Sequence, residues 1–183
     1  AKGLAEAFVA RLTRHDARIV AAAGDSPRSL HPRGAAWIEV AGTRVGQLGP
    51  LHPDLAVAFD VGETTMMVEI DLAALDRVGV RPVRFASLPR FPATMRDLAV
   101  VVRDDVPAGA VKEVVAEAAG SLGVEVSLFD RFAGGSVPAG HASLALRVVY
   151  RAEDRTLTDA EVDARHASVV SAVQARFGAT LRA

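Results

Sequence analysis

The stretch Val126-Ser-Leu-Phe-Asp-Arg-Phe132-Ala-Gly-Gly-Ser-Val-Pro-Ala-Gly-His141-Ala-Ser-Leu-Ala-Leu-Arg-Val-Val-Tyr150 decides the fold. It reads as two strands joined by a loop. The loop, Ala133 to Gly140, holds three glycines and one proline, residues that favour turns because glycine admits positive φ and proline fixes φ. Beyond it, Leu144, Leu146, Val148 and Tyr150 alternate with Ser143, Ala145, Arg147 and Val149. That period of two marks a half-buried strand. Before the loop, Phe129 and Phe132 share a strand with Asp130 and Arg131. Two readings stand: both rings lie in the core, or at least one lies on an open sheet face as a platform for a flat ligand such as a base.

The flanking residues complete a pattern around this hairpin. Leu98, Val100 and Val102 alternate with Ala99 and Val101, a strand apolar on both faces, as a central strand is. Asp104, Asp105 and Pro107 are expected to open a helix, with acid near its positive end. Val111, Val114, Val115, Ala118 and Leu122 line one side of that helix, which Gly120 or Gly123 stops. Thr158 and Glu161 form a capping box, and Val162, His166, Val169, Val170 and Val173 stripe a second helix that Gly178 ends. Ala179 to Arg182 is a final strand. The order strand, helix, strand, strand, helix, strand gives a ferredoxin-like sandwich, with a four-stranded antiparallel sheet carrying both helices on one face. If Leu98, Val100, Leu144 and Leu146 face the helices, the bare face presents Asp97, Ala99, Val101, Ser143, Ala145 and Arg147. Strict alternation adds Phe129 and Arg131 to that face and turns Phe132 inward, unless a bulge within Asp130–Gly135 re-aims it.

Upstream, Leu4, Phe8 and Leu12 recur at helical spacing and predict an amphipathic helix. Ile19 to Ala23 predicts a short strand, Trp37 to Leu48 a hairpin about Ala41-Gly42-Thr43. Pro53 starts a short helix through Phe59, Met66 to Ile70 is a strand and Leu72 to Val78 a helix. Pro82, Pro89 and Pro92 mark an extended connection. The expected divisions are residues 1–84, an α+β portion, 85–90, a linker, and 91–183, the ferredoxin-like domain.

With 183 residues, 50% hydrophobic and 23% charged, the chain reads as soluble and globular, and its opening on Ala1-Lys2-Gly3 reads as a piece of something longer. It has no cysteine, so disulfides, thiolate zinc sites and cysteine nucleophiles are excluded. That composition fits a cytoplasmic protein, and no apolar run or signal peptide points to a membrane. The net charge is −1, divided as +1 up to Arg90 and −2 beyond it, so any RNA site must be built locally. Catalytic constellations are thin. Gly134-Gly135 sits in a hairpin rather than between strand and helix, Ser136 lacks a nucleophile elbow, and no two of His15, His31, His52, His141 and His166 stand at helical ligand spacing. No catalytic residue and no metal ligand is expected.

Four motifs carry a family resemblance. Phe91-Pro-Ala-Thr-Met-Arg-Asp-Leu-Ala, Leu128-Phe-Asp-Arg-Phe, Gly140-His-Ala-Ser-Leu-Ala and Arg155-Thr-Leu-Thr-Asp resemble the ferredoxin-fold anticodon-binding domain that closes the β subunit of bacterial phenylalanyl-tRNA synthetase. Leu30-His-Pro-Arg-Gly, Gly46-Gln-Leu-Gly-Pro-Leu-His-Pro and Met67-Val-Glu-Ile-Asp-Leu are similar to the end of that subunit's catalytic-like domain, of class II synthetase type. The resemblance implies an (αβ)2 cytoplasmic ligase that joins phenylalanine to its tRNA with ATP and Mg2+. Its chemistry lies in the α subunit, and the magnesium carboxylates of β lie upstream of these residues, so the chain alone is implied to be non-catalytic and without a cofactor. It further implies that Phe132 stacks on an anticodon base with Asp130 and Ser143 beside it. The family often has tyrosine at Phe132, and its usual His-Pro-Gly-Arg is here His31-Pro32-Arg33-Gly34. Arg96, Arg147 and Arg155 are expected phosphate contacts by their charge. The competing class is a ferredoxin-like interaction or small-molecule regulatory domain whose sheet face pairs with protein.

Overall fold

A computed structural model describes residues 1–85 and 87–182. The chain divides into two compact units, Ala1–Phe85 and Ala86–Ala183. The expected linker, 85–90, straddles this break; its Ala86, and Ala183 at the end of the expected second domain, lie outside the described residues.

The first unit is a four-stranded antiparallel sheet in the order β1 (Ala17–Ala21), β2 (Ala36–Val40), β3 (Thr43–Pro50), β4 (Met66–Ile70). Helices α1 (Lys2–Thr13) and α3 (Leu72–Val78) share a core with it; α2 (Pro53–Ala58) stands between β3 and β4 in the chain. Ala41 and Gly42 both take positive φ, 49° and 80°, the left-handed pair that a two-residue hairpin needs. The first expected strand lies two residues earlier than its apolar run. The first helix also presents a different face. Ala5, Val9 and Thr13 are buried, whereas Leu4, Phe8 and Leu12 are exposed. Small side chains make the contact with the core, and the larger stripe lines open grooves beside Val68, Ile70 and Leu72 and beside Leu72 and Leu75.

Two histidine–proline turns hold the far end of this sheet as a matched pair. Leu30 and Leu51 form an antiparallel bridge. The His31 N–H donates to the Pro50 carbonyl at 2.8 Å and the His52 N–H to the Ser29 carbonyl at 2.9 Å. Each imidazole Nδ1 accepts the amide two residues on, from Arg33 at 3.2 Å and from Asp54 at 3.3 Å. A Cβ on Gly34 would stand 2.7 Å from Pro50 Cδ, so a side chain at position 34 would need Pro50 or the turn to shift.

The second unit runs β5 (Thr94–Arg103), α4 (Ala108–Ala119), a 3-10 turn (Gly120–Leu122), β6 (Gly123–Phe132), β7 (His141–Tyr150), α5 (Asp159–Phe177) and β8 (Thr180–Leu181). All pairings are antiparallel, in the order β6–β7–β5–β8, the ferredoxin-like arrangement. Leu98, Val100, Val102, Leu144, Leu146 and Val148 are buried against Val111, Val115 and Ala119 of α4 and Val162, Val169 and Val173 of α5. Val114, Ala118 and Leu122 pack at the margin of that core. Helix α4 begins only after Pro107, so Asp104 and Asp105 precede its first turn; they pair instead with Arg131 and Arg103, each at 3.1 Å. Buried Tyr150 meets His166 Nδ1 at 3.0 Å, and burial raises the phenol's pKa and lowers the imidazole's.

Candidate nucleic-acid interface

The open face of the second sheet is set by its register. Cross-strand partners share a face, which places Asp97 with Arg147, Ala99 with Ala145 and Val101 with Ser143 opposite the buried valines and leucines. Strand β6 adds to this face through a bulge. Leu128 pairs with Leu146 but Asp130 pairs with Ala145, leaving Phe129 as the extra residue. The bulge reverses the alternation. Asp130 and Phe132 now pair with Ala145 and Ser143 on the open face, while Arg131 pairs with helix-facing Leu144. Strict alternation had placed Arg131 outward and Phe132 inward; one inserted residue exchanges them. The bulge lies just before the Asp130–Gly135 stretch where it was expected.

Both rings stand outside the core. Phe132 is 40% exposed and Phe129 is 57% exposed. The Arg147 guanidinium carbon lies 5.4 Å from the Phe129 ring centroid, so Phe129, although bulged, stays beside the open face. Across the middle of the sheet run Phe132, Ser143, Val101 and Thr180 as successive partners. Gly135, at φ 56°, brings the loop against the ring, and a Cβ there would lie 3.4 Å from Phe132 Cζ. Ser143 is only 4% exposed although it faces the open side.

Arg182 was missed in the sequence. Its amide donates to the Ala99 carbonyl at 2.9 Å, extending β8 by one residue, and its guanidinium carbon lies 5.1 Å from the Phe132 ring centroid. Its signal was the alternation from Thr180, together with the small side chains of Ala99 and Ala145 on the same face.

The three expected phosphate contacts are each engaged with carboxylates. Arg147 makes two 2.7 Å bonds to Asp97, which raise the guanidinium's pKa and hold the carboxyl below its ordinary range. Arg96 pairs across the ladder with Val148 on the helix side and binds Asp159 and Asp163, each at 2.9 Å. Arg155 binds Glu161 at 2.8 Å and Asp154 at 3.1 Å, beside the start of α5. The fold therefore brings Phe132, Asp130, Ser143 and Arg147 onto one face, with Arg96 on the other side of the sheet. Among the described residues no group of three or more histidine or acidic side chains is placed to hold a metal ion.

Residues 89–182 match the family of the ferredoxin-fold anticodon binding domain. The chain belongs to that family. Residues 1–72 match a second family, the phenylalanyl tRNA synthetase beta chain CLM domain. The anticodon-binding domain match contains the bulge, both rings and Arg182. Among curated relatives, the phenylalanine–tRNA ligase beta subunit of Moorella thermoacetica is 44% identical over 99% of this chain and 22% of its own length. Those of Geobacillus kaustophilus and Symbiobacterium thermophilum are 42% and 41% identical, over 84% and 99% of this chain and 19% and 20% of their own lengths. The chain thus spans about a fifth of the length of these relatives.

Proposed function

We propose that this chain is the tRNA-reading end of a phenylalanine–tRNA ligase β subunit, and that the open face of its second sheet receives the anticodon of tRNA for phenylalanine. The observation that carries this reading is the bulge at Phe129. It turns Phe132 out of the core onto a face where its near partners are the small Ala99, Val101 and Ala145, so that a flat base can lie against the ring. Asp130 accepts hydrogen bonds only and suits the edge of a stacked base, while Ser143, 4% exposed, would reach the base only if the groups covering it moved aside. Arg147, already fixed by Asp97, supplies a positioned guanidinium. Arg96 and Arg155 would contact phosphate only by exchanging a carboxylate for it.

The relatives' names supply a ligase β subunit, and the rest of the assignment is carried over from the family resemblance. The α subunit, the (αβ)2 assembly, ATP and Mg2+ belong to the whole ligase, with phenylalanine activated in α, Mg2+ held by carboxylates upstream in β, and the enzyme in the cytoplasm. Among the described residues no helix is long and apolar enough to cross a membrane. This chain's part is to capture and orient the tRNA so that α can aminoacylate it.

The test is made on the assembled enzyme. Phe132→Ala is expected to weaken tRNA binding about tenfold or more, since base–aromatic stacking is worth ~1–3 kcal/mol. ATP–pyrophosphate exchange driven by phenylalanine should be unchanged. Phe132→Tyr keeps the ring and should bind like the original. Unaltered tRNA affinity in Phe132→Ala, or a loss fully matched by a lowered Tm, would remove the ring from the interface.

A further inference from the structure

A second polar feature lies in the first unit. Arg14, Arg81, Pro82, Val83 and Arg84 line an open cleft of about 610 Å3. No carboxylate lines it, and none of the three arginines is in an ion pair among the described residues. The first unit carries a net charge near zero, so this is a local concentration and not a share of a general excess. The segment that supplies two of these arginines is one-signed: Arg77, Arg81 and Arg84 occur with no aspartate or glutamate between residues 77 and 85. A cleft lined by one sign of charge focuses field and attracts the opposite sign.

The backbone adds an independent observation. Arg14 caps the C-terminus of α1 in the left-handed region, φ 58° and ψ 17°. That position favours glycine, and a side chain there is held at a cost. A cation near a helix C-terminus offsets part of this through the dipole. The dipole accounts for one guanidinium and leaves Arg81 and Arg84 unexplained. Those two arrive because the chain leaving α3 crosses the end of α1, where the Arg81 amide donates to the Thr13 carbonyl at 2.8 Å. The crossing brings the basic segment to the basic cap, where three like charges repel unless an anion joins them.

We infer that this cleft is a second tRNA-binding site, taking backbone phosphodiesters of the same RNA whose anticodon meets the Phe132 face. The inference rests on the proposed function for the identity of the RNA. An acidic protein surface is the other polyanion that could fill the cleft, but this chain's family binds RNA and a phosphate ridge suits three guanidiniums spread along an open groove.

The experiment measures tRNA affinity of the full-length assembled enzyme against salt concentration. Three variants are compared with the original: Arg14→Gly/Arg81→Gln/Arg84→Gln, the charge-keeping Arg81→Lys/Arg84→Lys, and the single exposed change Arg84→Glu. Glycine keeps the left-handed cap, so the triple variant should retain its Tm; if it does not, Arg84→Glu alone decides. Each phosphate contact contributes about 0.7–0.9 to the slope of log K against log salt. The triple variant is expected to lower that slope by about 2, the lysine pair to preserve it, and Arg84→Glu to lower it by about 1. Binding should weaken equally for tRNAs with original and altered anticodons, because phosphate contacts carry no sequence. A slope unchanged in Arg84→Glu and in a folded triple variant overturns the cleft as an RNA site. So does loss of assembly with the α subunit at an unchanged slope, which assigns the cleft to protein. Phe132→Ala run alongside separates the two readings: it should change affinity and leave the slope alone. A null result there with a lowered slope in the arginine variants strikes the anticodon surface and spares the cleft.

Discussion

Glu161 shows how one carboxylate can set the start of a helix. It accepts from the Thr158 amide and hydroxyl, both at 2.9 Å, and from Arg155 at 2.8 Å, while Thr158 Oγ1 accepts the Glu161 amide at 3.3 Å. These donors, the Thr158 amide first, favour the ionised form and pull the carboxyl down to about 2. A depressed carboxylate stabilises the fold above its unfolded pKa, and that contribution is lost as pH falls through the folded value. The window runs from about 4.5 down to about 2. Glu161→Gln should therefore lower the Tm at pH 6, and the difference from the original should shrink by pH 3. A difference that does not change with pH would mean that the cap does not depend on charge.

At the scale of elements, the bulge in β6 determines the interface. Deleting Phe129 removes the extra residue and leaves Leu128 opposite Leu146, Asp130 opposite Ala145 and Phe132 opposite Ser143, so the faces should not change. The deleted variant is expected to keep the unit folded and residue 132 exposed. A cysteine placed by Phe132→Cys should react with a thiol probe in the original and in the deletion alike; protection in the deletion would contradict this register. The strands and helices of both units were legible because each has its own period, its own turn residues or a complete cap such as Thr158–Glu161. The bulge was legible only as a possibility. It has no residue signature beyond the two rings on opposite expected faces, and its position depends on how β6 and β7 meet across the loop. The buried face of α1 was misread for a related reason. Hydrophobicity ranked Leu4, Phe8 and Leu12 above Ala5, Val9 and Thr13, but the smaller side chains make the contact with the core. The arginines were visible as charges, and their partners were not, because Asp159 and Asp163 lie more than sixty residues from Arg96.

Across the whole molecule, two units with separate cores carry two surfaces of different chemistry. The sheet face of the second unit is nearly neutral: Arg147 is cancelled by Asp97, and Arg182 stands near the ring while Asp130 faces outward. Under the proposed function, such a face discriminates through stacking and edge contacts and contributes little to the salt dependence of binding. Under the further inference, the arginine cleft of the first unit supplies charge without discrimination. The most direct measurement of the central claim is a cycle between Phe132 and the RNA base it is said to hold. The affinities of the assembled enzyme and its Phe132→Ala variant are compared for intact tRNA and for tRNAs in which each anticodon base in turn is made abasic. Coupling isolates the contact from effects on folding, which are the same for every RNA. The expected result is a loss of about tenfold or more on Phe132→Ala with intact tRNA that disappears for one abasic position. A loss of equal size on all the tRNAs, or no loss on any, would contradict it.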